Sequence, residues 1–210
     1  MILVGQFDSP VTRRIGVALH HYGIEFTRDT RSIFGDAKAV GKISPLTRIP
    51  ALVLDDGEVL IDSVAILDHV DESVGPARAL APPSGPARRR VLQDCALAQG
   101  TLEKVAAVVY ERHYHPPAHV ARDWEARCLG QTAAGLAELE RRCASPWFGG
   151  VAFSHADIMT VCLVAYLRLR LPEAFVPGAF PKLEALAARG EALPCFTAAA
   201  ISADETMPAT

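Results

Sequence analysis

The sequence predicts two parts: an α/β unit of order βαβ-α-ββα, then an all-helical unit. Three observations predict it. Strand and helix signals alternate up to about residue 76. The stretch that follows carries Pro76, Pro82, Pro83, Gly85 and Pro86, which neither a continuous helix nor a central strand accommodates. Beyond it, the apolar residues recur with helical spacing. The boundaries are therefore drawn at residues 1–76 for the α/β domain, 77–86 for a linker and 87–210 for an all-α domain.

Met1 to Gly5 reads as a short apolar strand. Ser9-Pro10 opens a helix, with proline where its missing N–H is not needed. Ile15, Ala18, Leu19 and Tyr22 share one face of that helix, and Gly23 is placed to end it. Glu25 to Thr30 is a second strand, and Asp36 to Lys42 a weak helical segment. Pro50 then starts a buried strand, Ala51 to Leu54. Asp55-Asp56-Gly57 turns the chain into Glu58 to Ile61. Asp62 or Ser63 caps the last helix of the unit, whose apolar face is Val64, Ile66, Leu67 and Val70.

The second half is helical. Ala87 to about His113 is rich in Ala, Leu and Val, and Pro116-Pro117 interrupts it. Ala118 to Cys143 follows, with Leu129, Leu136 and Leu139 on its apolar side. A third helix runs from Ser154 to before Pro172, and a shorter one follows Pro181. Ser154-His155-Ala156-Asp157 has capping-box spacing, with Asp in place of the commoner Glu. The helix it opens is apolar on most sides, so it belongs at the centre of a core. Ser154 and Asp157 are thus read as folding residues. The tail from Ser202 to Thr210 is expected to fray.

Composition excludes several function classes. Half of the 210 residues are hydrophobic, yet no run of about 18 apolar residues suggests a membrane span. The start lacks the basic flank of a signal peptide. A formal net charge of −3 gives no nucleic-acid footprint, and Arg88-Arg89-Arg90 reads as a solvated helix face. Five cysteines, none in a C-x-x-C pair, argue against a zinc ribbon or a thioredoxin-type redox motif and suit a reducing cytoplasm. Cys162 lies in an apolar run and reads as core.

Ile49-Pro50 followed by Asp62-Ser63-Val64-Ala65-Ile66 resembles the amino-terminal half of the glutathione transferases, and Trp147 to Asp157 resembles the capping element of their second domain. The resemblance implies a thioredoxin-like first domain and a helical second one. It implies a cis Pro50, with the Ile49 backbone pairing with the cysteinyl part of glutathione. Asp62, where the family more often has Glu, and Ser63 would hold the γ-glutamyl carboxylate. Arg48 or Lys42 would meet the glycyl carboxylate. Ser9-Pro10 before Arg13-Arg14 is similar to the serine-type members, in which a serine hydroxyl donates to the glutathione sulfur. Two readings of Ser9 stand side by side: that donor, or only a helix cap. Phe7 and Thr12 are its neighbours and competitors, with Thr12 one turn inside the helix.

The task of such an enzyme is to hold glutathione as thiolate, the nucleophilic form. An ordinary thiol ionises near pH ~8.5, and lowering that by ~2 units needs about 2.7 kcal/mol. A hydroxyl donor and a helix N-terminus supply energy of that order. The second substrate is expected against the long helix, in a pocket of Phe7, Tyr110, His113 and Tyr114, with Tyr110 and Tyr114 on one face. The expectation is a cytoplasmic homodimeric transferase with glutathione as co-substrate, a small electrophile as partner, and no metal, prosthetic group, nucleic acid or membrane. Its rivals are glutathione-dependent peroxide reduction or isomerisation at the same site, and a non-catalytic interaction protein of the same fold.

Overall fold

In the computed structural model, which describes residues 1–205, the chain divides into two units. The first comprises Met1–Pro83 and, among the described residues, 191–205; the second comprises Ser84–Gly190. The first unit holds β1 (Ile2–Val4), α1 (Pro10–Tyr22), β2 (Thr27–Asp29), α2 (Ala37–Val40), β3 (Ala51–Val53), β4 (Val59–Ile61) and α3 (Ser63–Val74). The strands form one mixed sheet of order β2-β1-β3-β4. β1 runs parallel to β2 and antiparallel to β3, and β3–β4 is a hairpin whose turn places Gly57 at φ +93°. This is the predicted thioredoxin-like order.

Helix boundaries follow the local chemistry. Ser9 caps α1, Pro10 occupies its first position, and Gly23 ends it in the left-handed conformation. Ile15, Ala18 and Leu19 are fully buried, and Tyr22 nearly so. Asp62 caps α3. Ile66, Leu67 and Val70 are buried, but Val64 is 57% exposed. Val64 therefore leaves the predicted apolar face, because it lies in the first turn, off the buried stripe.

The proline-rich stretch is not a free linker. Residues 76–83 belong to the first unit, where buried polar groups tie them down. The Tyr22 hydroxyl accepts from Leu80 N–H, Asp71 accepts from Ala81 N–H, and Arg78 donates to the Tyr22 carbonyl. The chain also returns to this unit at its far end. Arg13, 3% exposed, holds Glu191 through two hydrogen bonds of 2.6 and 2.7 Å and donates to the Ala199 carbonyl at 2.8 Å. These contacts seat α8 (Pro194–Ala198) on α1. The second domain, drawn from sequence through residue 210, thus gives up its last stretch to the first unit. Ala203–Glu205 forms a 3₁₀ turn that makes hydrogen bonds, so the predicted fraying does not hold for those residues. Residues 206–210 lie outside the described part.

In the second unit stand α4 (Gly85–Tyr114), α5 (Arg122–Arg142), α6 (His155–Arg170) and α7 (Pro181–Glu191), the last residue of α7 counting with the first unit. α5 starts later than its apolar pattern suggests, because a turn closed by His119 N–H on the Pro116 carbonyl follows the two prolines. α6 is the core helix: twelve of its residues are buried, Cys162 among them. Its capping box is complete, with Ser154 and Asp157 satisfying each other's backbone N–H groups. Among the described residues, no helix is long and apolar enough to cross a membrane.

Candidate active site

Strand register gathers the site. Val4 at the end of β1 is paired with Ala51 at the start of β3, which is paired with Ile61 at the end of β4. The segment after β1 carries Ser9, the residues before β3 are Ile49 and Pro50, and the residues after β4 are Asp62 and Ser63. All five therefore lie at one end of the sheet. The N-termini of α1 and α3 open at that same end. Each contributes a partial positive charge, which suits a carboxylate or a thiolate.

Ser9 is half-buried and extended, at φ −77° and ψ 115°. Its Oγ accepts the Thr12 N–H at 3.4 Å, longer than a good N–H···O bond. Its carbonyl accepts the Arg13 N–H at 2.8 Å. Capping and donation do not compete for the same part of the hydroxyl. The oxygen accepts from the helix while the O–H proton remains a donor, and accepting one hydrogen bond strengthens the other.

The Ile49–Pro50 peptide bond is cis. Gly5, at φ +128°, lies directly against Ile49: a methyl group there would stand 3.0 Å from Ile49 Cβ and 2.7 Å from Thr12 Oγ1. Only glycine lets the two segments approach this closely with that backbone. Thr12 is fully buried and its hydroxyl has no hydrogen-bond partner. It is not an exposed competitor of Ser9.

Asp62 is exposed and sits at φ +69°, uncommon for a residue with a side chain. Such a conformation costs of order ~1–3 kcal/mol and clusters at functional positions. Its Oδ1 accepts the Val64 N–H at 2.8 Å, so one carboxylate oxygen serves the helix cap. Ser63 is 3% exposed at the first position of α3. Lys42, in the turn after α2, and Arg48 are both exposed cations.

Phe7 corrects the sequence reading. Its ring is 1% exposed and packs against Gly16, where an added methyl group would come within 2.5 Å of it. The Arg28 guanidinium lies 3.6 Å from the ring centre. A ring so enclosed is a wedge under the loop and lines no open pocket. The basic pair after Ser-Pro is likewise internal: Arg13 and Arg14 are each 3% exposed, and Arg13 is engaged with the returning chain. In the second unit, Tyr110 and Tyr114 do share a face of α4, edge to face at 6.0 Å, and His113 meets Tyr114 at 4.9 Å. Tyr114 is 59% and Tyr110 38% exposed. Their i, i+4 spacing foretold that pairing. Sequence reasoning missed Arg28 and Glu205, which hold the loop carrying Ser9 from residues far along the chain. No local motif signals a pairing across that separation. Among the described residues, no group of three or more His, Cys, Asp or Glu is arranged to hold a metal ion.

Comparison with known proteins agrees with this fold. Residues 8–73 match the family "Glutathione S-transferase, N-terminal domain", and residues 122–189 match "Glutathione S-transferase, C-terminal domain". An uncharacterized GST-like protein of Escherichia coli K12, YibF, is 28% identical over 170 residues, covering 81% of this chain and 83% of its own. A glutathione S-transferase of Methylobacterium radiotolerans, solved with glutathione sulfonate, is 27% identical, with 100% and 98% of the two chains covered and a TM-score of 0.90. A glutathione transferase family member of Pseudomonas fluorescens Pf-5, solved with bound glutathione, is 31% identical, with 94% and 97% covered and a TM-score of 0.83.

Proposed function

The chain belongs to the glutathione S-transferase family, and from that premise we propose that it binds glutathione at this end of the sheet and activates the thiol for attack on an electrophilic small molecule. One observation carries the proposal. The register Val4–Ala51–Ile61 puts Ser9, Ile49, Asp62 and Ser63 together, beside two helix N-termini. In this reading the Ile49 backbone pairs with the cysteinyl part of glutathione. The N–H groups at the start of α3, with Asp62 and Ser63, take the γ-glutamyl end. Lys42 or Arg48 meets the glycyl carboxylate.

Ser9 then donates its O–H to the sulfur, and the α1 N-terminus adds its partial positive charge. Both favour thiolate over thiol. The thiol proton leaves to solvent, the thiolate forms the new bond to the electrophile, and the electron pair of the bond that breaks goes to the leaving group or to the adjacent atom. Tyr110, His113 and Tyr114 are the proposed contacts for the electrophile. We assign the protein to detoxification chemistry in the cytoplasm, where its five cysteines, none of them disulfide-bonded, remain reduced, and to a homodimer, the commonest soluble oligomer.

The hydrogen bond from Thr12 N–H to Ser9 favours a second reading, in which Ser9 only caps α1 and the fold serves binding without catalysis. Calorimetry with glutathione on wild type and Ser9→Ala decides, together with ultraviolet difference spectra for bound thiolate near neutral pH. Binding by both proteins, with thiolate only in wild type, supports the transferase. Binding with equal thiolate in both removes Ser9 from the chemistry. Absence of binding in both sinks the enzyme. Product analysis with peroxides and with isomerisable substrates separates transfer from the other glutathione-dependent reactions.

A further inference from the structure

Between β1 and α1 the chain makes a turn closed by Ser9 N–H on the Gln6 carbonyl at 3.2 Å, with Phe7 at its corner. Three contacts hold that corner. The Phe7 N–H donates to Glu205 Oε2 at 3.1 Å. Arg28, on β2, grips the same carboxylate with both terminal nitrogens, at 2.8 Å to Oε1 and 2.5 Å to Oε2. The Arg28 guanidinium also lies 3.6 Å from the centre of the Phe7 ring, whose edge rests on Gly16. Glu205, Arg28 and Phe7 thus form a closed ring of one backbone hydrogen bond, one bidentate ion pair and one cation–π contact.

The Glu205 side chain is 13% exposed and that of Arg28 26%, so solvent screens this pair less than a surface pair. Burial acts to raise the Glu205 carboxyl, but Arg28 and the Phe7 N–H outweigh it and hold the group below its usual range. The carboxylate is therefore charged throughout the neutral range.

We propose that Glu205 is a positioning residue for Ser9: the returning segment clamps the corner of the Gln6–Ser9 turn and fixes where the Ser9 hydroxyl stands. The inference rests on the transferase reading for its chemistry, and on geometry alone for the clamp. Glu205 is bonded to Phe7 and Arg28, not to Ser9. It acts through the Phe7 backbone, two residues before Ser9, and through Arg28 above the Phe7 ring. A clamp of this kind affects where the donor sits more than whether glutathione binds, since the Ile49 backbone and the start of α3 are held by other elements.

The test uses the full chain as wild type, Glu205→Ala, Glu205→Gln and Arg28→Leu. Three quantities are measured: amide exchange of residues 5–12 without ligand, the glutathione dissociation constant, and the pH midpoint of bound-thiolate absorbance. In Glu205→Ala, exchange at Phe7 and Ser9 is expected to rise about tenfold or more. Affinity should stay within about threefold while the thiolate midpoint moves up by roughly 0.5 pH unit or more. Glu205→Gln keeps an acceptor for the Phe7 N–H and should fall between wild type and Ala. Arg28→Leu should reproduce the Ala result if it folds, and Glu205→Gln carries the test if it does not.

An unchanged thiolate midpoint in Glu205→Ala overturns the positioning role. So does a loss of affinity well beyond threefold, which would mark a general loosening of the site. If wild type itself forms no glutathione thiolate, the transferase reading fails on its own. The clamp is then judged by exchange: faster exchange at Phe7 and Ser9 in Glu205→Ala supports it, and unchanged exchange overturns it.

Discussion

The Tyr22 hydroxyl donates to Asp71 Oδ1 at 2.5 Å while accepting the Leu80 N–H at 2.7 Å. Asp71 Oδ2 in turn accepts the Ala81 N–H at 3.1 Å. One phenol and one carboxylate on α1 and α3 therefore satisfy two backbone donors of a proline-rich stretch that forms no ladder of its own. Buried polar groups with such partners contribute modestly when paired and cost much more when orphaned.

Tyr22→Phe should remove the phenol's bond to Asp71 Oδ1 and strand the Leu80 N–H. The expected loss is about 1–3 kcal/mol of stability at neutral pH, measured by urea denaturation. The pH dependence adds a signature. Burial first, and then the Asp71 hydrogen bond, push the Tyr22 phenol well above its ordinary value. A group raised in the folded state gives stability that is full below its unfolded value, about 10 for a phenol, and is lost as pH rises toward the folded value. Wild type should therefore lose stability above about pH 10 more steeply than Tyr22→Phe.

Gly5→Ala tests the close approach on which the site depends. The added methyl group would meet Thr12 Oγ1 at 2.7 Å and Ile49 Cβ at 3.0 Å, at a φ of +128° that side chains rarely adopt. The variant should be destabilised and should bind glutathione at least tenfold more weakly, because Ile49 must move. Gly57→Ala is the control: its φ is also positive, at +93°, but nothing stands near its added methyl group. It should cost about 1 kcal/mol and leave glutathione affinity unchanged in calorimetry.

Much of this was legible in the sequence because the signals are local. Ser9-Pro10 and Gly23 bracket α1 by chemistry confined to a few residues, and Asp55-Asp56-Gly57 sets the hairpin that carries the chain to Asp62. Those pieces, read in order, place Ser9, Ile49 and Asp62 at one end of a sheet. What could not be read is held by distant partners. Arg13 and Arg14 stand in the sequence only as a basic pair after Ser-Pro, yet Arg13 binds Glu191, 178 residues away. Phe7 looked like a pocket aromatic, but Arg28 and Gly16 enclose it. Glu205, in the tail expected to fray, is held because it finds an arginine 177 residues back. Spacing along a single chain carries no trace of such pairs.

The capping box of α6 offers a graded test. Asp157 is fully buried and accepts from Phe148 N–H at 2.6 Å, from Ser154 N–H at 2.8 Å and from the Ser154 hydroxyl at 2.8 Å. Ser154→Ala should cost about 1–2 kcal/mol, the ordinary price of a lost cap. Asp157→Ala should cost more, since it orphans two buried backbone donors at about 1–3 kcal/mol each. Denaturation midpoints of the two variants check the order. Equal losses would mean that Asp157 acts only as a cap partner and that Phe148 finds another acceptor.

Cys143 provides the last prediction, and its sign is fixed by burial. Its residue is 2% exposed. Burial, aided by the negative charges of Glu140 and Asp157, pushes its thiol up to about 11. The unfolded chain ionises the same thiol near pH ~8.5. Its contribution to stability is therefore full below about pH 8.5 and is lost as pH rises toward the folded value. Cys143→Ala removes that dependence. At pH 7.5 the variant should be less stable than wild type, because it gives up buried apolar contacts of the sulfur. By pH 10.5 the gap should narrow, since wild type has by then lost what the buried thiol contributes. Urea midpoints for both proteins across this range measure it, and thiol titration adds a kinetic check: Cys143 should react only as the fold opens. A gap that stays constant from pH 7.5 to 10.5 would show that Cys143 ionises in the folded chain as readily as in the unfolded one.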